Sequence, residues 1–415
     1  MLARLLYSLF FYCLTPLILM RVVWRSIKEP YYKSDLGQRF GFVETNHDRP
    51  IWVHAVSAGE TIAAVPLVDR LLDRGHAVVM TAMTPTGRER ATILLGDRVQ
   101  QYYAPYDLPG SIKRFLSTVK PKALIIIDTE LWPNMLHYSA MQNMPIYLVN
   151  ARMSDKSARG YQKISMLTLP MMKTLRQVYS QSDIQGERFL SMGLSDAQLS
   201  VPGSIKFDVS LPVDFQERQV ELKRLFNGKE CFLGASTHKG EEDKLIKAFK
   251  NLGPSASQVL IIAPRHTHRT TEVLSLCKTS GLSVQKRSDD LDIESAIYLI
   301  DTMGELIYFY GIAKMAFIGG SLVDIGGHNP MEAGRLGVPM MMGPFTRNID
   351  DIAELFIDAG AMIRISDQTG LNIAVSTLFN DDVLHGSMSG AAELVMKRNR
   401  GALDLIEREI IEEIG

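Results

Sequence analysis

The sequence predicts an α/β protein built from two successive parallel sheets with covered faces, preceded by an apolar helix. From Ile51 onward, short apolar runs alternate with amphipathic stretches; the alternation restarts after a charge-rich segment near residues 210–229; and residues 5–20 are almost wholly apolar. At 415 residues the chain is too long for one ordinary core. The expected division is an anchor at 1–27, a first domain at 28–209, a second at 210–390 and a closing helical stretch at 391–415. Two such sheets should hold ligands at the carboxyl ends of their strands, in a cleft where the domains face each other.

The apolar run at 5–20 is interrupted by Ser8, Thr15 and Pro16 and bracketed by Arg4 in front and Arg21, Arg25 and Lys28 behind. No small-x-small cleavage site follows it, so it reads as an uncleaved anchor rather than a signal peptide. A transmembrane span, an interfacial helix and a buried core helix are the alternatives. The heavier positive charge behind the run places the main body on the cytoplasmic side. Residues 1–40 hold six cations (Arg4, Arg21, Arg25, Lys28, Lys33, Arg39) against Glu29 and Asp35, although the whole chain has a net charge of −1. That balance argues against a nucleic-acid partner, which needs a basic excess. Cys13, Cys231 and Cys277 form no C-x-x-C pair, which suits a reducing compartment and excludes a cysteine zinc site.

In the first domain, strands are expected at 51–55, 77–82, 122–128, 145–149, 177–180 and 199–202, with helices at 60–73, 85–95, 108–119, 132–142, 158–175 and 184–192. The second domain repeats the pattern, with strands at 231–235, 259–263, 283–285, 296–300, 315–318 and 339–342 and helices from Glu241, Thr270, Gly304, Pro330 and Ile349. The segment 210–229 reads as a linker.

Several strand ends carry chemistry. Residues 316–344 run from a strand through Gly319-Gly320-Ser321 and Gly326-Gly327 into His328-Asn329-Pro330-Met331-Glu332. Glycines admit close backbone approach to an anion, Pro330 suits a first helical turn, and the helix N-terminus attracts negative charge, so the stretch reads as a phosphate cradle. Glu332 is placed to accept hydrogen bonds from ribose hydroxyls. After the first strand, the small-residue loop 55–59 leads to Glu60, whose position suits either a poised general base or a helix cap. Asp128 and Glu130 suggest a metal pair only weakly, and Glu130 is better read as a cleft residue. Lys206 suits a substrate carboxylate or a solvated surface position. Arg265 has the fork for a phosphate, and His266 and His268, with His238 and His328, lack the carboxylate expected beside a metal.

The segments WVHAVSAGE (52–60), DTELWPN (128–134), GSIKFD (203–208), 234–242, APRHTHR (263–269), DTMGEL (301–306) and GGHNPMEAGRLGVP (326–339), in this order and spacing, resemble the bacterial 3-deoxy-D-manno-octulosonic acid (Kdo) transferases. The resemblance implies a GT-B fold of two Rossmann-like domains, in which the final helix returns to the first domain. It implies CMP-Kdo as donor, a lipid A precursor (lipid IVA) as acceptor, no required metal, and residence at the bacterial inner membrane. By motif it makes Glu60 the general base of an inverting reaction, and Glu130 and Lys206 residues that assist the transition state. Pro264, Arg265, Met303, Gly304, Glu305, Asn329, Pro330, Met331 and Glu332 become CMP-binding positions. Met331 stands where the motif has leucine.

Overall fold

The computed structural model describes residues 2–28, 35–209, 211–289 and 292–415. Glu29 and Lys33, part of the basic N-terminal tally, and Ser210, the start of the expected linker, lie outside the described residues. The chain divides into two compact units, Met1–Asp208 with Arg400–Gly415, and Val209–Asn399.

Unit 1 contains β1 (Ile51–His54), β2 (Val78–Ala82), β3 (Gln100–Tyr103), β4 (Ala123–Ile127), β5 (Ile146–Ala151), β6 (Gln177–Ser180) and β7 (Leu199–Ser200). They pair all-parallel in the order β3-β2-β1-β4-β5-β6-β7. The strands are continuous apolar runs because helices cover both faces, and every residue of β1, β2, β4 and β5 is buried. Unit 2 contains β8 (Glu230–Thr237), β9 (Gln258–Pro264), β10 (Val284–Lys286), β11 (Ile297–Leu299), β12 (Ala313–Ile318), β13 (Met340–Met342) and β14 (Met362–Arg364). Its order, β10-β11-β9-β8-β12-β13-β14, repeats the same logic. The first sheet's order reverses once, between β1 and β4; the second reverses between β8 and β12 and again near its edge, where β11 lies between β9 and β10.

The structure adds strands β3 and β14, which the sequence did not announce. Both are edge strands, and Gln100 and Gln101 of β3 are only partly buried, so neither shows an apolar run. The single helix expected at 158–175 is two, Asp155–Lys163 and Ser165–Met172. Ile164 leaves helical geometry (φ −112°, ψ 37°), and Thr168 Oγ1 donates to the opened Tyr161 carbonyl at 2.9 Å. The linker expected at 210–229 carries a three-turn helix, Phe215–Phe226.

The N-terminal helix, Leu2–Lys28, is about 40 Å long at the usual rise. Its Leu2–Val22 stretch is long and apolar enough to cross a membrane. Leu6, Leu9, Phe10, Leu17 and Met20 are exposed, which rules out the core-helix reading. Its first turns are fastened to the rest of unit 1 through Asn134, whose Oδ1 accepts from Arg4 Nη1 (2.9 Å) and Ser8 Oγ (3.1 Å).

The division expected at 390/391 falls inside the helix Asp382–Asn399, which belongs to unit 2; the return to unit 1 begins at Arg400. The last helix, Ala402–Ile414, buries Leu403, Ile406 and Ile410 with Ala64, Leu67 and Leu71. Asp208 caps its start, its two carboxylate oxygens accepting from Gly401 N and Leu403 N at 2.7 Å each. These are charge-assisted bonds to orphan helix donors. Asp208→Ala should therefore lower stability by about 1–3 kcal/mol in urea unfolding followed by circular dichroism; an unchanged midpoint would show that the cap contributes nothing.

Candidate active site

In unit 1 the polar groups gather at the β1/β4 reversal, where helices leave a parallel sheet on opposite faces and open a crevice beyond the strand ends. Ser57 caps the helix Ala58–Asp73, accepting from Glu60 N at 3.3 Å. The Glu60 carboxylate folds back onto this turn: Oε1 accepts from Ser57 Oγ and Oε2 from Val56 N, both at 2.7 Å. Glu60 is thus a helix cap in its ground state, and each oxygen keeps a lone pair for a further proton. Burial raises its pKa against the pull of those hydrogen bonds, and the nearby Asp128 raises it further.

Glu130 stands close by, its Oε2 accepting from Trp132 Nε1 at 2.8 Å. The Trp132 ring meets the edge of His54, with centroids 4.7 Å apart. His54 is fully buried beneath, paired through Nδ1 with Thr81 Oγ1 (2.9 Å), and burial holds it neutral by lowering its pKa to about 3. A packed column of strand residues thereby sets the position of Glu130. Burial, with the charges of Glu60 and Asp128, raises the Glu130 pKa to about 7 although Trp132 opposes the shift.

Asp128 and Asn150, at the ends of β4 and β5, both have left-handed backbones (φ 59° each). Asn150 Nδ2 donates to Asp128 Oδ1 at 2.6 Å, and Ser204 Oγ donates to Asn150 Oδ1 at 2.9 Å. Lys206 joins this chain through its backbone, N–H to Ser204 Oγ at 3.4 Å. Non-glycine residues with positive φ concentrate where a fold holds a functional geometry, and Asp and Asn tolerate it best. Sequence reasoning passed over Asn150, whose only signal was a polar side chain closing an apolar strand.

In unit 2 the corresponding reversal, β8/β12, brings together residues 90 positions apart. The expected phosphate cradle at Gly319–Ser321 is corrected here, because its donors are already occupied. Glu241, fully buried, accepts from Gly320 N (2.8 Å), Ser321 N (3.0 Å), Leu322 N (2.9 Å) and His238 N (2.9 Å). A side chain at Gly319 would collide with the Ser236 carbonyl, so glycine is required for strand approach rather than for a ligand. The helix expected from Pro330 is only Met331–Arg335, with Asn329 Oδ1 accepting from Met331 N at 3.0 Å. Met331 is core.

Arg265 follows β9, next to Pro264, the last residue of that strand, and lies exposed near Glu332 and His328. Burial raises the Glu332 pKa, and the Arg265 charge opposes it. His238 Nε2 and His328 Nε2 lie 2.7 Å apart. Met303 and Gly304 are exposed, whereas Glu305 is engaged by Thr302 and by Arg287 Nη2 at 3.3 Å. Among the described residues no three His, Cys, Asp or Glu side chains are grouped to hold a metal ion.

Two seven-stranded parallel sheets, each with a polar cluster at its reversal, define a GT-B glycosyltransferase fold. The same fold is seen in the UDP-GlcNAc 2-epimerase of Neisseria meningitidis (TM-score 0.58, 13% identity, covering 88% of this chain and all of that one). The Acinetobacter baumannii protein MurG shares it too (TM-score 0.56, 13% identity, 88% of this chain and all of that one). The chain belongs to the 3-deoxy-D-manno-octulosonic acid transferases, and is a glycosyltransferase enzyme. It is 36% identical to the 3-deoxy-D-manno-octulosonic acid transferase of Haemophilus influenzae over 398 residues, 94% of this chain and 93% of the relative. Residues 34–209 match the family model described as 3-Deoxy-D-manno-octulosonic-acid transferase (kdotransferase).

The raised pKa of Glu130 has a stability consequence. A folded-state pKa of about 7 lies above the unfolded value, so the native state binds this proton more tightly. The contribution is complete below the unfolded pKa and is lost as pH rises through 7. Glu130→Gln, uncharged throughout, should gain stability relative to the parent between about pH 4.5 and 7 and hold a constant difference above. Urea unfolding of both proteins from pH 4 to 8 measures it, and a pH-independent difference would show that Glu130 titrates as it does in the unfolded chain.

Proposed function

We propose that the enzyme moves Kdo from CMP-Kdo to a lipid A precursor such as lipid IVA, with inversion, and with Glu60 as general base. The observation that carries this reading is the Glu60 carboxylate: half-buried, raised in pKa, and held at the β1/β4 reversal of unit 1 beside Glu130 and Asp128. A base of raised pKa beside other carboxylates suits removal of a proton from a sugar hydroxyl.

The donor's anomeric carbon carries a carboxylate and leaves CMP through an oxocarbenium-like state. The bond from that carbon to the phosphate oxygen breaks, its electron pair staying with CMP. The acceptor hydroxyl oxygen forms the new bond from the opposite face, and its proton passes to Glu60. Glu130 and Asp128 place negative charge where positive charge develops, and Lys206 pairs with the donor's carboxylate. In unit 2, Pro264, Arg265, Met303, Gly304, Glu305, Asn329, Pro330 and Glu332 receive CMP, with Met331 packing beneath them. Arg265 supplies the cation for the phosphate, so the mechanism requires no metal.

A lipid acceptor also fits the N-terminal helix. Its exposed leucines and aromatic residues, with Arg4 and Arg21, suit an anionic inner-membrane surface on the cytoplasmic side.

The decisive assay is CMP release from CMP-Kdo by the detergent-solubilised protein with and without tetraacylated lipid A precursor, followed by mass analysis of the lipid. Acceptor-dependent release with a mass gain of whole Kdo units is expected; transfer to water alone, or from a uridine nucleotide sugar instead, would refute the reading. Glu60→Gln should retain CMP binding within a few-fold while kcat falls by about 10²–10⁴. Parent-like turnover would remove Glu60 from the chemistry.

A further inference from the structure

His238 follows β8 directly and His328 stands in the loop after β12, the two strands at the reversal of unit 2. Their Nε2 atoms are 2.7 Å apart and their ring planes differ by 10°. Two imidazole nitrogens at that distance require one proton between them: one ring donates, the other accepts. The accepting ring must then carry its own proton at Nδ1, pointing away from the pair.

The geometry is imposed rather than incidental. The Glu241 carboxylate that binds His238 N also binds the amides of residues 320–322, so one buried side chain ties both loops together. His328 N donates to Gly319 O at 3.1 Å, and a side chain at Gly320 would press on the His328 ring at 3.1 Å. Around the pair stand Arg265, Arg269 and His266, with His268 stacked on His266, and Glu332 beside Arg265. Burial and these cations hold both rings neutral without a ligand, that of His328 down to about 4.

We propose that His238 and His328 form a tautomer-locked, one-proton pair for the donor's phosphate, in which His328 donates Nδ1–H to the phosphate and His238 is its positioning residue. The proposal rests on the CMP-Kdo reading above. His328 takes the contact because it adjoins Asn329–Glu332 and lies near Arg265. When the anion binds, His238 accepts a proton at its own Nδ1. The Nε2–H donated to His328 and the outward N–H of His328 both survive that step, so the pair gains a positive charge without rearranging. During transfer the pair keeps its protons and stabilises, by hydrogen bonding, the charge that CMP acquires as the bond to the anomeric carbon breaks.

Titration calorimetry with cytidine 5′-(methyl phosphate), a diester that does not itself titrate near neutrality, tests proton uptake in Tris and in Hepes at pH 7.5. The parent should take up a substantial fraction of one proton on binding; zero uptake overturns the proposal. Kinetics from pH 6 to 8.5 separate the roles. His238→Gln can still donate to His328 but cannot be protonated, so it should hold the donor KM within about 3-fold at pH 8 and lose the tightening toward pH 6. His238→Ala should raise donor KM about 10-fold or more at every pH, and His328→Ala should lower kcat/KM about 10–100-fold, the worth of a hydrogen bond to a charged group. Parent-like pH profiles in all three overturn the pair while leaving CMP-Kdo transfer standing. A parent that neither binds the probe nor releases CMP overturns both.

Discussion

The constraint on which the rest depends is parallel pairing. Seven strands running one way in each unit collect every carboxyl end along one edge, and each sheet's order reverses beside its central strand, at β1/β4 and at β8/β12. At the reversal, successive helices depart to opposite faces and leave the strand ends uncovered. Glu60 follows β1 and Glu130 follows β4; His238 follows β8 and His328 follows β12. Groups far apart in sequence meet because the sheet order puts their strands side by side. The left-handed backbones of Asp128 and Asn150 belong to the same region: Asp128 turns the chain off β4, Asn150 sits at the irregularity in the β5–β6 pairing, and the Asp128–Asn150–Ser204 hydrogen bonds hold both there.

Glu241 shows how a motif can be physically sound and still serve another end. Glycine-rich turns after strands do present backbone N–H groups to an anion. Here the anion is the protein's own carboxylate, which accepts four such bonds in a site closed to water. Removing a carboxylate from water is costly, and four donors offset that cost while opposing the upward pKa shift of burial. The loop is thereby pinned by the protein's own carboxylate, and in the reading proposed above recognition of a phosphate falls to side chains, Arg265 and the imidazoles.

The central strands were legible because strands buried on both faces must be apolar throughout, as Ala123–Ile127 is. The edges were not: β3 opens on two half-exposed glutamines, and β14 ends on the exposed Arg364. Glu60 was legible as a carboxylate in a first helical turn, yet its double occupation by Ser57 and Val56 was not, since either role places the same residue there. Glu241 and Glu242 are adjacent and alike in sequence. One turns into the glycine loop and the other pairs with Arg269 at 2.7 Å, a choice made by tertiary packing alone. The histidines were visible singly and suggested a metal weakly; their pairing needed the β8/β12 register.

One topology thus carries opposite electrostatics in its two halves. In unit 1, Asp128 makes ionisation of Glu60 harder, and Glu60 and Asp128 together make ionisation of Glu130 harder. In unit 2, Arg265 and His266 make protonation of both His238 and His328 harder, and Arg269 adds to the effect on His238. Each cluster therefore favours the approach of charge of the opposite sign. In the Kdo transfer proposed above, a developing oxocarbenium would relieve the first and a departing phosphate the second. That proposed transfer generates the two charges together, from the breaking of a single bond, so each cluster would favour the transition state over the ground state through the charge of its own sign preference.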